Sequence, residues 1–280
     1  MTDTTNVRFQ KNYNSKNPAR RIAAECVQYE KMTTRLKNNI SELYEIFRPY
    51  LANSNMDGTF EDLNKKNELL FSKPLKELTQ KELASFVGRS MTTWGDVDDY
   101  KHFLPRILDL TAQIKTPPYD IWIVFDKLIY AEWKKWPQNE QDVINQYMIE
   151  LWRNLIEIEC EISERDFRDY FSTIAHFYPN FTELLNIWNE SESKSSIRHL
   201  SEFLVHEHTA LFDRKKISGF YDQKENAEEF INWILSDEML YKIQQKYFEF
   251  ETECFAEKIS WAEQIITAER KSTAHNKELR

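Results

Sequence analysis

The segment at residues 90–106, SMTTWGDVDDYKHFLPR, holds the residue types that acid–base chemistry uses. If residues 97–104 are helical, Asp98, His102 and Arg106 recur every four residues and lie on one side of the helix. A carboxylate that orients an imidazole forms a general base, and a nearby guanidinium can stabilise a developing oxyanion. With two expected neighbours added, the candidate ligand-binding set consists of Trp94, Asp98, Asp99, His102 and Arg106.

The same segment also has a structural interpretation. Gly95 permits a turn, and Asp96 can cap the following helix together with Asp99, three residues on. Because Pro105 cannot donate a helical hydrogen bond, we expect a corner there and a new helix from Arg106. Aspartate paired with histidine or arginine is also a common tie between a turn and a core. The segment therefore predicts either a site or a structural corner.

A second group of possible ligands lies on a predicted helix at residues 196–208. His199, Glu202 and His206 fall at positions i, i+3 and i+7, and such side chains bind zinc or iron. Metal ligands on adjacent helical turns usually sit four residues apart, whereas these two histidines lie two turns apart and straddle Phe203. This spacing favours a helix face at the margin of the core, so we predict no metal site and no cofactor.

Composition excludes several classes of protein. The chain has only four glycines in 280 residues and lacks both the dinucleotide-binding fingerprint and the phosphate-binding loop. Its net charge of -9 disfavours binding to nucleic acid. The longest apolar run is far shorter than a membrane span, and the three cysteines are too widely spaced for a disulfide framework. We therefore expect a cytoplasmic protein that contacts neither nucleic acid nor membrane.

The first part of the chain predicts one long helix. Residues 1–17 read as a loose basic segment, and a helix is expected over residues 18–48, ended by Pro49. Residues 52–78 are polar and irregular, which predicts a linker or a mobile flap. The apolar stripe of the long helix has spacings of three and four and consists of Ile22, Cys26, Tyr29, Thr33, Leu36, Ile40, Leu43 and Phe47.

The rest of the chain reads as one helix after another with short joints. A capping box at Thr79 and Glu82 begins one helix, and Ser163, Asn180 and Ser236 can cap later ones. Aromatic residues precede prolines at several joints, and helix pairs recur about every forty residues. The fold class is all-α, a single domain over residues 1–280. The helix pairs form either an irregular antiparallel array or an α-solenoid of the HEAT or armadillo kind.

An aromatic stripe accompanies the predicted helix at residues 120–135. Its spacing of three and four residues favours packing in the core or along a groove. If part of it is exposed, it could form a peptide-binding groove. The stripe consists of Trp122, Phe125, Ile129, Trp133 and Trp136.

The run at residues 92–110, TTWGDVDDYKHFLPRILDL, resembles a segment of an uncharacterised family of bacterial all-α proteins. The resemblance also includes a similar downstream order of a Trp-Pro corner and helices. It implies a helical fold and marks residues 94–106 as a special feature. It implies no catalytic residue, cofactor or substrate.

Two functions are consistent with these patterns. Because helical arrays offer extended surfaces and no complete catalytic constellation is visible, we predict an interaction module that binds a protein or peptide. The alternative is an enzyme or small-ligand-binding protein with an acid–base or anion site around Asp98, His102 and Arg106. The sequence leaves open the oligomeric state and whether a reaction is catalysed.

Overall fold

The computed structural model describes residues 32–114, 119–159, 162–220 and 223–278, with side chains as far as residue 273. These residues form twelve α-helices and no β-strand, which confirms the all-α prediction. The first six helices are α1 Thr34–Ile46, α2 Leu63–Phe71, α3 Gln80–Arg89, α4 Val97–Thr111, α5 Ile121–Tyr130 and α6 Gln138–Glu157. The last six are α7 Glu164–Phe177, α8 Phe181–Glu190, α9 Lys194–His208, α10 Lys224–Ile234, α11 Asp237–Glu249 and α12 Ala256–Glu278.

Local capping begins several of these helices as predicted. At the start of α3, Thr79 N donates to Glu82 Oε2 at 2.8 Å, and Glu82 N donates to Thr79 Oγ1 at 3.4 Å. The side chains of Ser163, Asn180 and Ser236 each accept a backbone N–H of the first turn of α7, α8 and α11. These caps satisfy amide groups that have no partner inside the helix.

The first described helix is shorter than the one predicted over residues 18–48. Thr33 has extended backbone, its Oγ1 accepts Leu36 N at 3.2 Å, and its own N–H donates to Asn154 Oδ1 at 2.8 Å. Thr33 is therefore a cap, and α1 begins at Thr34. The described part of the apolar stripe is buried as predicted, at Leu36, Ile40, Leu43 and Phe47. Residues 1–17 and 18–31 lie outside the described residues.

The corner predicted at Pro105 is wrong, because α4 continues through this residue without a break. Proline removes one hydrogen bond from a helix interior. The helix continues because both sides of the proline are embedded in the core, with Phe103, Leu104, Ile107 and Leu108 almost fully buried. Burial of these side chains outweighs the loss of one hydrogen bond.

Residues 52–78 also differ from the irregular linker or flap that their composition predicts. They contain α2 and a short 3-10 helix at Leu75–Glu77. Met56, Leu70 and Leu78 from this segment are buried in the core. A few buried apolar side chains thus hold this polar segment in an ordered structure.

Helix α6 lies at the centre of the packing and contacts α1, α7, α8 and α9. Because α1 and α6 are far apart in the chain, this packing brings together helices that are distant in sequence. The buried ring of Trp152 on α6 packs against Phe167, Phe171 and Trp188. Within the described ranges, none of the helices has the length and apolar character needed to cross a membrane.

Candidate functional site

Trp94, the first residue of the predicted site, is a core residue. Its side chain is 1% exposed, and its indole Nε1 donates to Asn67 Oδ1 at 2.8 Å. The edges of its ring meet Phe60 and Phe86, with centroids 5.1 and 5.3 Å away. Trp94 therefore ties the segment at residues 52–78 to α3.

The two adjacent aspartates have different surroundings. Asp99 Oδ2 accepts Asp96 N at 3.1 Å, its Oδ1 accepts Asn53 N at 3.2 Å, and Asp96 Oδ1 accepts Asp99 N at 3.0 Å. Burial raises the pKa of the Asp99 carboxyl against the opposing effect of these backbone hydrogen bonds. Asp98 is exposed on the first turn of α4. Asp99 thus completes the predicted capping box, while Asp98 faces solvent.

Gly95 explains the tight approach of this turn to α4. Its φ is +65°, and a Cβ at this position would lie 2.8 Å from Asp99 Oδ2. The predicted turn at Gly95 is therefore confirmed, and the close contact requires glycine.

His102 is held by backbone and aromatic rings. Its Nδ1 lies 3.0 Å from the carbonyl oxygen of Tyr50, and its ring stacks on Phe71 at a centroid distance of 6.3 Å. No hydrogen bond joins it to Asp98, although both side chains are described. The predicted carboxylate–imidazole pair does not form in this structure.

Arg106 belongs to a separate network. Its Nε donates to Leu78 O at 2.8 Å, and its Nη1 donates to Asp109 Oδ2 at 2.6 Å. Tyr44 OH donates to the same carboxylate at 3.0 Å, and burial raises the pKa of this phenol. Four of the five predicted residues, Trp94, Asp99, His102 and Arg106, thus make structural contacts with different partners, while Asp98 faces solvent.

The two histidines of the predicted metal-ligand group on α9, His199 and His206, have different surroundings. His199 is 1% exposed and stacks on Phe167 at 4.3 Å, and burial together with the Arg198 charge lowers its pKa to about 3. His206 is half-exposed and contacts Glu164. Among the residues that the structure describes, no three His, Cys, Asp or Glu side chains are grouped to hold a metal ion.

The aromatic stripe is mostly core. Phe125, Trp133 and Trp136 are buried, whereas Ile129 is 53% exposed. Trp122 is half-buried and packs against His176, with ring centroids 4.6 Å apart. Because α5 ends at Tyr130, the last two tryptophans reach the core from the connection to α6.

Tyr178, the C-cap of α7, lines two open clefts. The larger, which we name the His176 cleft, has a volume of about 530 Å³. It is lined by Ala175, His176, Tyr178, Pro179, Phe181, Gln223, Lys224, Glu225 and Asn226. The smaller, which we name the Glu150 cleft, has a volume of about 380 Å³. It is lined by Asp142, Asn145, Gln146, Ile149, Glu150, Arg153, Tyr178 and Glu183.

Polar side chains that line the His176 cleft form hydrogen bonds within the fold. His176 Nδ1 lies 2.7 Å from Gln223 Nε2, so the imidazole nitrogen accepts from the amide. Burial lowers the pKa of this imidazole. Asn226 Nδ2 donates to Ala175 O at 3.4 Å, which joins α10 to the end of α7.

The Glu150 cleft contains a carboxylate that is only partly satisfied. Glu150 is 6% exposed, and its Oε1 accepts Gln146 Nε2 at 2.9 Å and lies 4.0 Å from Arg153 Nε. In the described part of the chain, Glu150 Oε2 and Asn145 Oδ1 are buried and have no hydrogen-bond partner. At the rim, Tyr178 OH donates to Glu183 Oε2 at 2.6 Å.

Sequence reasoning missed both clefts. The polar face of α6 is visible in the sequence, because Asp142, Gln146 and Glu150 recur every four residues. No sequence signal brings Tyr178 and Glu183 to this face, since they come from the joint between α7 and α8. Comparison of the chain with known protein families, with curated proteins and with solved structures found no match.

Proposed function

We propose that this protein is a helical interaction module that binds an extended peptide segment of a partner protein. The observation that carries the proposal is that Tyr178 lines both the His176 cleft and the Glu150 cleft. In this proposal the peptide crosses Tyr178 and occupies both clefts as one groove, the kind of extended surface that helical arrays use to bind partners.

The lining of the groove supports a peptide rather than a compact apolar ligand. Pockets for drug-sized molecules are mostly apolar, with a few polar groups. Here Gln146, Gln223, Asn226 and Asn145 place side-chain amides along the two clefts. The NH2 groups of Gln146 and Gln223 each make one hydrogen bond within the fold and have a second N–H for a ligand. A peptide main chain needs such partners because each of its residues carries a donor and an acceptor.

The proposal includes two further features. The helices form an irregular array of pairs, which leaves the groove at one of its joints. The location is the cytoplasm, which the wide spacing of the cysteines and the free Cys254 favour.

The alternative function places an acid–base or anion site around Asp98, His102 and Arg106. Arg106 already uses its Nε and Nη1 on Leu78 and Asp109 within the fold. This engagement favours the peptide-binding proposal, because an anion site needs guanidinium donors that face a ligand.

Selection of displayed random peptides against the full chain tests the proposal, followed by NMR mapping of the bound peptides. We expect the backbone amide shifts of residues lining both clefts to move. Tyr178→Ala should weaken binding about tenfold or more, as removal of a central aromatic contact does. The matched control is Tyr241→Ala, since Tyr241 is 63% exposed on α11 and lines neither cleft.

The melting temperature of each variant checks that it is folded. The variant Tyr178→Phe distinguishes the contribution of the ring to binding from that of the hydroxyl group. Shifts confined to another surface, or equal binding by wild type and a folded Tyr178→Ala variant, would contradict the proposal.

A further inference from the structure

We propose that His176, Gln223 and Asn226 form a pH-sensitive latch, which holds the start of α10 against the end of α7 and opens when His176 is protonated. Gln223 Nε2 lies 2.7 Å from His176 Nδ1, and Gln223 Oε1 accepts Asn226 Nδ2 at 3.3 Å. Asn226 Nδ2 also donates to Ala175 O at 3.4 Å. We name these three side chains the His176 latch. The latch is a property of the fold, and its effect on peptide binding rests on the proposed function.

The order of these hydrogen bonds fixes the protonation state of His176. The carbonyl oxygen of Ala175 only accepts, so the Asn226 amide turns its NH2 group to this oxygen. The same NH2 group meets Gln223, which therefore turns its oxygen to Asn226 and its NH2 group to His176. His176 Nδ1 must then accept, and the neutral ring carries its proton on Nε2.

Protonation of His176 is incompatible with this chain of hydrogen bonds. A doubly protonated imidazole has no acceptor, so its Nδ1–H and the Gln223 NH2 group would be two donors facing each other. Reversing the Gln223 amide would turn its NH2 group toward the NH2 group of Asn226. Reversing Asn226 as well would place its Oδ1 against Ala175 O, which are two acceptors. Because neither rotation restores the chain, the contact between His176 and Gln223 breaks.

The surroundings of His176 set the pH range of the latch. Burial lowers the pKa of the imidazole against the opposing effect of the Asp126 charge on α5. The other ionisable groups that line the cleft are Lys224 and Glu225 on α10, which carry opposite charges, and the phenol of Tyr178. Because the closed latch holds the imidazole neutral, it is complete above the ordinary histidine pKa of about 6.5. It weakens as the pH falls from there through the lowered pKa.

Opening of the latch changes one wall of the His176 cleft. Residues 223–226 all line this cleft, and the Gln223 side chain makes no capping hydrogen bond to α10. Its 2.7 Å contact with His176 is shorter than the 3.4 Å hydrogen bond from Asn226 to Ala175. Farther along α10, Phe230 and Ile234 are fully buried, so opening displaces only the start of the helix. We therefore expect a peptide to bind the cleft at neutral pH and to be released in acid.

The first experiment titrates the full chain without a ligand and follows the imidazole nitrogens and backbone amides by NMR between about pH 8 and about pH 5. We expect the neutral His176 ring to be protonated at Nε2. The amide shifts of residues 223–226 should change with the same midpoint as the imidazole. Far-UV circular dichroism over the same range checks that the helices remain folded. A neutral ring protonated at Nδ1, or amides that do not follow His176, would overturn the latch.

The second experiment reverses the chemistry of the latch. Gln223→Glu replaces the NH2 group that faces His176 by a carboxylate oxygen, which accepts a hydrogen bond from a protonated imidazole. Selected peptides without histidine should bind the wild type several-fold more weakly at about pH 5.5 than at about pH 7.5. Gln223→Glu should abolish or reverse this decrease.

The matched control is Asn232→Asp, because it adds the same charge at an exposed position of α10 that does not line the cleft. This variant should keep the decrease in peptide binding that the wild type shows. An equal decrease in Gln223→Glu and in Asn232→Asp would overturn the inference, since the contact between residue 223 and His176 would then have no effect.

Two further outcomes separate this inference from the proposed function. If the latch opens in the free chain and no peptide binds, the latch is supported and the proposed function fails. If peptides bind both clefts equally well at the two pH values while the latch opens, the peptide-binding function stands and regulation of the cleft by pH is refuted.

Discussion

Lys101 Nζ lies 2.7 Å from Glu140 Oε2, and both side chains are almost fully buried. Tyr50 OH donates to Glu140 Oε1 at 2.5 Å, and Lys101 Nζ lies over the rings of Tyr50 and Trp136. This ion pair joins the middle of α4 to the first turn of α6. Burial and the hydrogen bond to Glu140 raise the pKa of the Tyr50 phenol, so it remains a donor at neutral pH.

Removing one member of this pair should be costly. Lys101→Met leaves the Glu140 charge buried without its partner, and we expect a loss of about 3–5 kcal/mol in the free energy of unfolding. The double variant Lys101→Met with Glu140→Leu should recover most of the loss, because it leaves no unpaired charge. Urea denaturation measures the free energy of unfolding of the single and the double variant. A loss under about 1 kcal/mol in the single variant would show that the ion pair is exposed.

Replacing each of the two neighbouring aspartates of α4 by alanine should lower the stability of the protein by different amounts. Asp99→Ala removes half of the capping box and the acceptor for Asn53 N, and should cost about 1–2 kcal/mol. Asp98→Ala removes only an exposed charge near the helix N-terminus, and should cost under about 1 kcal/mol. Thermal denaturation of the two variants provides the comparison. A larger effect of Asp98→Ala would point to a contact of Asp98 that the structure does not show.

Asn67 should be essential to the packing of Trp94. Its Oδ1 accepts the indole N–H, and its Nδ2 donates to Met56 O at 2.9 Å. Asn67→Leu would leave two buried polar groups without partners, at a cost of about 2–5 kcal/mol in the free energy of unfolding. Trp94→Phe leaves fewer unsatisfied groups and should cost less. Chemical denaturation followed by circular dichroism ranks the two variants, and the reverse order would contradict this assignment.

His199 should make stability depend on acid pH. The pKa of this imidazole is about 3 in the folded state and about 6.5 in the unfolded state. Between these values the unfolded chain binds a proton that the folded protein does not. The free energy of unfolding therefore falls as pH drops from about 6.5 to about 3, by about 4 kcal/mol at most.

The variant His199→Phe isolates this effect, because it keeps an aromatic ring against Phe167 and removes the titrating group. Burial raises the pKa of Glu202, which acts in the opposite direction, so the measured quantity is the difference between variant and wild type. The urea concentration at the midpoint of unfolding should fall less steeply in the variant than in wild type as the pH is lowered. If the midpoints of the two proteins fall equally at acid pH, the assignment of this pH dependence to His199 is refuted.

Local features of the chain were predictable from sequence alone. The caps Ser163, Asn180 and Ser236 act on amides three residues away, and the stripe at Leu36, Ile40 and Leu43 follows helix geometry. The turn at Gly95 and the capping role of Asp99 were equally local. Periodicity and capping need no knowledge of the rest of the fold, so the all-α class and the helix starts at these caps followed from them.

Tertiary structure decided the rest. Whether α4 passes through Pro105, whether residues 52–78 become ordered, and which partner His102 takes all depend on side chains distant in the chain. Lys101 and Glu140 are 39 residues apart, and no local pattern pairs them. The Glu150 cleft likewise exists only where the joint at Tyr178 meets α6. Sequence alone determined the all-α class and the helix caps, whereas the buried charges and the two clefts arose from packing, because burial creates the partners, the desolvation and the unsatisfied acceptors.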